Sequence, residues 1–275
     1  IMAGLKWDRP SRNQAVSFQP PVYDPEDLLG IMPMDHKRPV DMRQVIARLV
    51  DGSDFIAFGE NYGPATICGH AKIEGHPVGI VTNNGPLDPA GANKATHFIQ
   101  ACCQSRTPLI YLNNTTGYMV GRAYEEGGMI KHGSKMINAV SNSKVPHISI
   151  LLGASYGAGH YGMCGRAFDP RFLFAWPSSK SAVMGGAQLA GVISIVGRAA
   201  AEARGQAFDE EADAGMRAMI ENQIEAESLP MFLSGRLYDD GVIDPRDTRT
   251  VVGMCLSAIA SAPIEGTANF GVFRM

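Results

Sequence analysis

Three apolar runs constrain the fold of this chain more than any other feature. "VGIVTNNG" (78–85), "PLIYLNNTTG" (108–117) and "HISILLGASYG" (147–157) each end in a glycine-bearing turn and lead into a stretch of helical periodicity. Their spacing is that of a strand, a turn and a returning helix, and such crossovers join parallel strands with right-handed connections. In "YEEGGMIKHGSKMINAV", Met129, Gly133, Met136, Ile137 and Val140 recur at helical intervals while Lys131 and Lys135 fall on another face. A layered α/β spiral is expected.

Around this centre the remaining elements can be read from their patterns. "DMRQVIARLVDG" predicts a short helix with Asp41 at its start, Gln44 three residues on and Gly52 at its exit. "FIAFG", "TICGHAKI" and "PVGIVTNN" read as strands, the last two joined as a hairpin through Glu74-Gly75-His76. "RFLFAWP" and "KSAVMGG" read as further strands, and residues 188–204 and 209–227 as helices. On the second of these helices Met216, Ile220 and Ile224 are expected to turn inward beneath a solvated acidic face. A last helix is expected to end near Ala262, and "FGVFRM" closes the chain. Residues 1–38, with prolines at 10, 20, 21, 25 and 33, predict an extended lead-in strapped on rather than buried, with one domain over 39–275. A first residue of Ile1 suggests a processed chain or a part of a longer one.

A net charge of −3 with scattered basic residues marks no nucleic-acid footprint. The five cysteines (68, 102, 103, 164 and 255) show no C-x-x-C pair and mostly sit in apolar segments, which favours a reducing compartment. No apolar run approaches the roughly 20 residues a membrane span needs, so no membrane partner is expected. The seven histidines form no H-E-x-x-H, and no metal is expected.

The stretch "SYGAGHYGM" holds a literal G-x-G-x-x-G at 157–162. A dinucleotide fold would need an acid at the end of the following strand, about 20 residues on. That strand ends in Pro177-Ser178-Ser179-Lys180, and Asp169 precedes it, so the dinucleotide reading is disfavoured. A strand running through glycines into a helix still presents unpaired amides to an anion, an oxyanion in mid-reaction as well as a phosphate. The preceding layer makes the same turn in "NNTTGYMVG", so amides near Gly117 and Tyr118 are expected to face the same spot as those of Ala158 and Gly159. The alternative is that these glycines serve only tight turns and close packing. Ser155 lacks a G-x-S-x-G elbow, His160 is expected to pack or hydrogen-bond, and Tyr156 and Tyr161 are expected to be wall residues.

At these residues the chain resembles the carboxyltransferase (β) subunit of biotin-dependent acyl-CoA carboxylases, in the methylcrotonyl-CoA and geranyl-CoA group. The similarity runs through "VDMRQVIARLVDGSDF", "NNTTGYMVGRAYEEGGMIKHGSKM", "GASYGAGHYGMCGRAFDPRFLFAWP" and "APIEGTANFGVFRM", from about Tyr23 to Met275. It covers one half of such a subunit, the C-terminal one. The resemblance implies a crotonase-like (ClpP/crotonase) ββα spiral. It also implies an active site shared with the N-terminal carboxyltransferase domain of another subunit, in a homo-hexameric β core. Biotin, as carboxybiotin, would arrive on a partner α subunit, and the acyl-CoA substrate would be held mostly by the N-terminal domain. An isolated half would lack turnover.

Carried onto this chain, the resemblance assigns the amides of Ala158 and Gly159 to the ureido oxygen of biotin, with Gly117 and Tyr118 in the same pocket. Tyr156, Gly157, Met119, Gly185 and Gly186 would line it, the alternative for the last two being that they only allow close helix packing. The charge appearing on that oxygen would be stabilised by amides, and the decarboxylated cofactor would be the base. Two departures bear on substrate: Ala187 stands where the methylcrotonyl enzymes usually carry Glu, and His160 where they commonly have Asn. The lost charge favours a longer branched chain, each added methylene gaining about 0.8 kcal/mol on burial, and hence geranyl-CoA over methylcrotonyl-CoA. Two other readings stand beside this one. A crotonase-type hydratase or isomerase would use Glu125 and Glu126 as acid or base, and an assembly module would dock the biotin-bearing subunit without chemistry. The location implied is the cytoplasm in a bacterium, or the mitochondrial matrix in a eukaryote.

Overall fold

The computed structural model of the chain describes residues 17–36 and 38–273. After a helical turn α1 (Leu28–Ile31) come α2 (Arg43–Leu49), a two-residue strand β1 (Ile56–Ala57), and the hairpin β2 (Thr66–Ile73) and β3 (His76–Asn83). The hairpin turn is Glu74-Gly75, both at positive φ, a backbone that twists with the strands it joins. Then follow α3 (Pro89–Gln104), β4 (Leu109–Thr115), α4 (Arg122–Glu126), α5 (Met129–Asn142), β5 (His147–Tyr156) and the short α6 (Gly157–Gly162). Strands β6 (Phe172–Ala175) and β7 (Lys180–Ala182) precede the long pair α7 (Gly186–Ala203) and α8 (Glu210–Glu227), and α9 (Pro230–Ser234) and α10 (Thr248–Ala260) complete the elements.

The sheet order is β1-β2-β3-β4-β5-β6, antiparallel from β1 to β3 and parallel from β3 to β6. Strand β5 is the branch point. Its first half pairs with β6 and its last three residues, Ala154–Tyr156, pair with β7, so two short strands share one long neighbour. This mixed α/β spiral is the architecture that the resemblance implies.

Period-two alternation decides which core each strand residue enters. Ile67, Ile80, Ile110, Leu112, Ile148 and Ile150 face one core, closed by α2 and α10; Trp176 sits there, its indole N–H donating to Thr248 Oγ1 at 2.8 Å. Cys68, Val81, Leu109 and Tyr111 face the other, closed by α3 and α5. Burial on both faces explains why these strands read as continuous apolar runs. All five cysteines are reduced and buried.

Two expectations need correction. The lead-in is not merely strapped on, because Leu28 and Met32 are buried in the first core; residues 1–16 lie outside the described residues. On α8, Met216, Ile220 and Ile224 are only half-buried, while Asp213 is buried and accepts from Ser194 Oγ of α7 at 2.7 Å. A polar link between the two helices does part of what an apolar stripe was expected to do. No helix among the described residues is long and apolar enough to cross a membrane.

Candidate functional site

The G-x-G-x-x-G segment is built by three separate local demands, none of them a dinucleotide. Gly157 opens α6 at φ +52°, and a Cβ there would meet the Val183 carbonyl oxygen at 2.8 Å. Gly159 lies against the neighbouring turn, where a Cβ would stand 2.7 Å from Gly117 Cα. Gly162 makes room for the hydroxyl of Tyr118, against which a Cβ would clash. The two strand-to-glycine turns, at the ends of β4 and β5, are therefore in backbone contact.

That contact leaves a bare cradle. Gly117 has φ +130°, and the nearest atom to a Cβ placed there is the Tyr156 carbonyl oxygen at 3.9 Å, so the space in front of it is open. The first amides of a helix have no intrahelical acceptor, and no side chain caps α6 at Tyr156. Ala158 is exposed and Gly159 buried, so the helix start meets solvent along one edge only.

The companion turn contributes differently from expectation. The Gly117 amide is already engaged, donating to Thr115 Oγ1 at 3.2 Å, while the Gly117 carbonyl accepts from Leu87 N at 2.9 Å. Met119 N donates to the Leu87 carbonyl at 2.8 Å. Of this turn, the Tyr118 amide has no acceptor among the described residues, and Gly117 offers its Cα surface rather than its N–H. The Tyr118 ring turns away from the cradle to pack on Gly133 of α5 and Gly162 of α6, and burial raises its phenol pKa.

Gly185 and Gly186 part company. Gly185 caps α7, and a Cβ placed on it would stand 3.9 Å from the Tyr156 ring, in ordinary contact. A Cβ on Gly186 would meet Glu221 O at 3.1 Å and Glu221 Cα at 3.2 Å, so its absence lets α7 approach α8. Tyr156 is half-buried, and burial, with the nearby Glu225 carboxylate, raises its pKa. Glu126 pairs with Arg122 at 2.7 Å on exposed α4.

His160 holds the short helix in place. Ser155 Oγ donates to Asn113 Oδ1 at 3.1 Å and lies 2.7 Å from His160 Nδ1, while Arg166 N donates to His160 Nε2 at 3.3 Å. This assigns the proton to Nδ1 and leaves Nε2 as acceptor, a neutral ring with both nitrogens committed. Burial pushes the pKa down to about 4. The adjacency of Ser155 and His160 was visible in the sequence, but their anchors Asn113 and Arg166 come from other elements. Among the described residues no group of three or more His, Cys, Asp or Glu is arranged to hold a metal ion.

Comparison with known proteins gives the site its context. The family described as the carboxyl transferase domain matches residues 3–273. The chain is 66% identical over its whole length to a probable biotin-dependent acyl-coenzyme A carboxylase beta2 subunit of Mycobacterium tuberculosis, covering 52% of that protein. It is 48% identical, over 94% of its length, to the mitochondrial methylcrotonoyl-CoA carboxylase beta chain of Arabidopsis thaliana, covering 44% of it. The beta subunit of P. aeruginosa geranyl-CoA carboxylase superposes with a TM-score of 0.83 at 46% identity, over 95% of this chain and 50% of that one. The chain thus spans about half the length of the relatives it matches.

Proposed function

The chain belongs to the carboxyl transferase domain family, and from that premise we propose that it is the half of an acyl-CoA carboxylase β subunit that receives carboxybiotin, over residues 39–275 with 1–38 as its lead-in. The observation that carries this reading is the backbone contact of Gly159 with Gly117 beside an uncapped helix start, a contact that a Cβ on Gly159 would break. Such a site suits a neutral urea ring whose oxygen gains charge during reaction, because amides are fixed before that charge appears.

In this reading the Ala158 and Gly159 amides hold the ureido oxygen, with the Tyr118 amide beside them. Gly117, Tyr156, Gly157 and Gly185 form the walls. Met119 holds the companion turn through its bond to Leu87, and Gly186 acts at one remove by seating α7. When bound, carboxybiotin supplies both the carboxyl group and, after giving it up, the base. The chain itself contributes preorganised donors, each worth about 3 kcal/mol in such sites, and His160 keeps them aligned without taking a proton.

The acceptor is the γ-carbon of a branched enoyl-CoA. Sequence identity does not separate geranyl from methylcrotonyl relatives, at 46% and 48%. Ala187, in the first turn of α7 and two residues after Gly185, removes the charge that shorter-chain enzymes carry there, which supports geranyl-CoA as the preferred substrate. The biotin-bearing α subunit, the N-terminal carboxyltransferase domain and a hexameric core complete the enzyme, in the cytoplasm of a bacterium or the mitochondrial matrix of a eukaryote. The assembled enzyme, given ATP, bicarbonate and each acyl-CoA in turn, is expected to fix labelled bicarbonate into both substrates, with the higher kcat/KM for geranyl-CoA. Incorporation into neither would overturn the reading, and a higher value for methylcrotonyl-CoA would overturn the substrate preference alone.

A further inference from the structure

A second cavity of about 450 Å³ lies between the loop after β1, helix α3, helix α5 and the C-terminal segment. None of the residues lining it belongs to the glycine turns. Its walls carry two lysines, Lys94 and Lys135, three aromatic rings, Phe58, Tyr62 and Phe273, and His97, but no carboxylate. The volume falls in the range that encloses small organic ligands.

Lys94 is the anomaly. It is only 4% exposed, and its ammonium, with three N–H donors, has one acceptor among the described residues, the Gly59 carbonyl at 3.3 Å. The nearest carboxylates are committed elsewhere: Asp88 caps α3 by accepting from Gly91 N at 2.5 Å, and Glu60 pairs with Arg43 at 3.4 Å. Neither Lys94 nor Lys135 belongs to any ion pair among the described residues. Burial pulls the Lys94 pKa below the usual lysine value, as a cation short of counter-charge requires. A buried ammonium with one neutral acceptor and no paired carboxylate is costly unless something completes it.

The rings supply the rest of the specification. Phe58 meets His97 edge to face at 5.2 Å, and Tyr62 is held by Asn93 Nδ2 at 3.4 Å, so two flat walls are fixed in place. We propose that this cavity binds a phosphorylated aromatic nucleoside, the phosphate completing Lys94 and Lys135 and the base lying against Phe58, Tyr62 or Phe273. A free nucleotide and the nucleotide end of a coenzyme A thioester share this chemistry. The coenzyme A source rests on the carboxyl-transfer reading, whereas AMP binding does not, so failure to bind AMP and failure to carboxylate are separate results.

The test is a calorimetric titration of the assembled protein with AMP, with adenosine and inorganic phosphate as part-ligands. The wild type is expected to bind AMP more tightly than either part. Lys94→Gln and Lys135→Gln should each weaken AMP binding about ten-fold or more, equivalent to about 1.4 kcal/mol. Because Lys135 is only half-buried, its variant reports even if Lys94→Gln perturbs folding, which a thermal melt detects. An unchanged KM for acyl-CoA in the Lys135→Gln variant identifies a free-nucleotide site, and a raised KM identifies the coenzyme A end; both support the proposal. No AMP binding up to about 10 mM, an affinity below about 3 kcal/mol, overturns it, as does binding that Lys135→Gln leaves intact.

Discussion

A methyl group on Gly159 would stand 2.7 Å from Gly117 Cα and 3.2 Å from its carbonyl carbon, so the obstruction is backbone that cannot swing aside as a side chain would. Gly159→Ala must part the two turns. Turnover by the assembled enzyme is expected to fall by about 10²-fold or more, the cost of misplacing one oxyanion donor, while assembly and substrate KM change little; wild-type turnover in the variant would refute the cradle. The histidines make a second statement at this scale. His147, which is buried, and His160, which is half-buried, are both neutral, their pKa values pushed down to about 4 from the ordinary 6.5 by loss of solvent around the rings. The unfolded chain therefore binds these protons first, and stability present above about pH 6.5 is lost as pH falls towards about 4. Burial lowers His76 and His132 in the same direction. Asp244, held down to about 2 by Arg246, affects stability only below its ordinary 3.8. Urea midpoints measured between pH 7 and pH 4 should decline through this window, and His160→Asn, which removes one titrating ring, should flatten part of the decline.

Helix α7 meets α8 through one missing side chain and one buried polar bond. Gly186 lets the backbones close, and Ser194 Oγ donates to Asp213 Oδ2 at 2.7 Å with both residues buried. Asp213 Oδ1 has no partner among the described residues, so Ser194→Ala leaves the whole carboxylate unpaired there and is expected to cost about 1–3 kcal/mol. A thermal melt reads this directly, and an unchanged midpoint would show that water replaces the hydroxyl. Elements of this kind mark where sequence reading stops. The hairpin at Glu74-Gly75, the strand ends and the apolar face of α5 were legible because each depends on residues two to four apart. Asp213 was not, because its partner lies nineteen residues away on another helix. The site divides the same way: the glycines of both turns were visible, whereas the diversion of the Gly117 amide to Thr115 depends on a local rotamer that no spacing encodes. That Gly186 faces α8 rather than the cradle followed only from the packing of the two helices.

Taken as a whole, the molecule has one face that its own residues do not finish. Along α7, Val192, Ile195 and Val196 are exposed, Ile195 at 70%. The helix is apolar enough to be a core element, yet α8 covers only one side of it. Isolated apolar residues on a surface are ordinary, but a run of them on one helix marks an interface. In the reading proposed above, the N-terminal carboxyltransferase domain is the occupant of this face, on the helix that Gly185 caps. Ile195→Glu places a charge in the middle of that face without touching either core. Light scattering of the assembled enzyme is expected to show a smaller particle, and carboxylation should fall with it, while the thermal melt of the dissociated protein stays close to that of the wild type. Dissociation without loss of carboxylation would mean that the cradle works without its neighbour. An intact particle would mean that another surface joins the halves, and α7 would then need a different reason for its exposed valines and isoleucine.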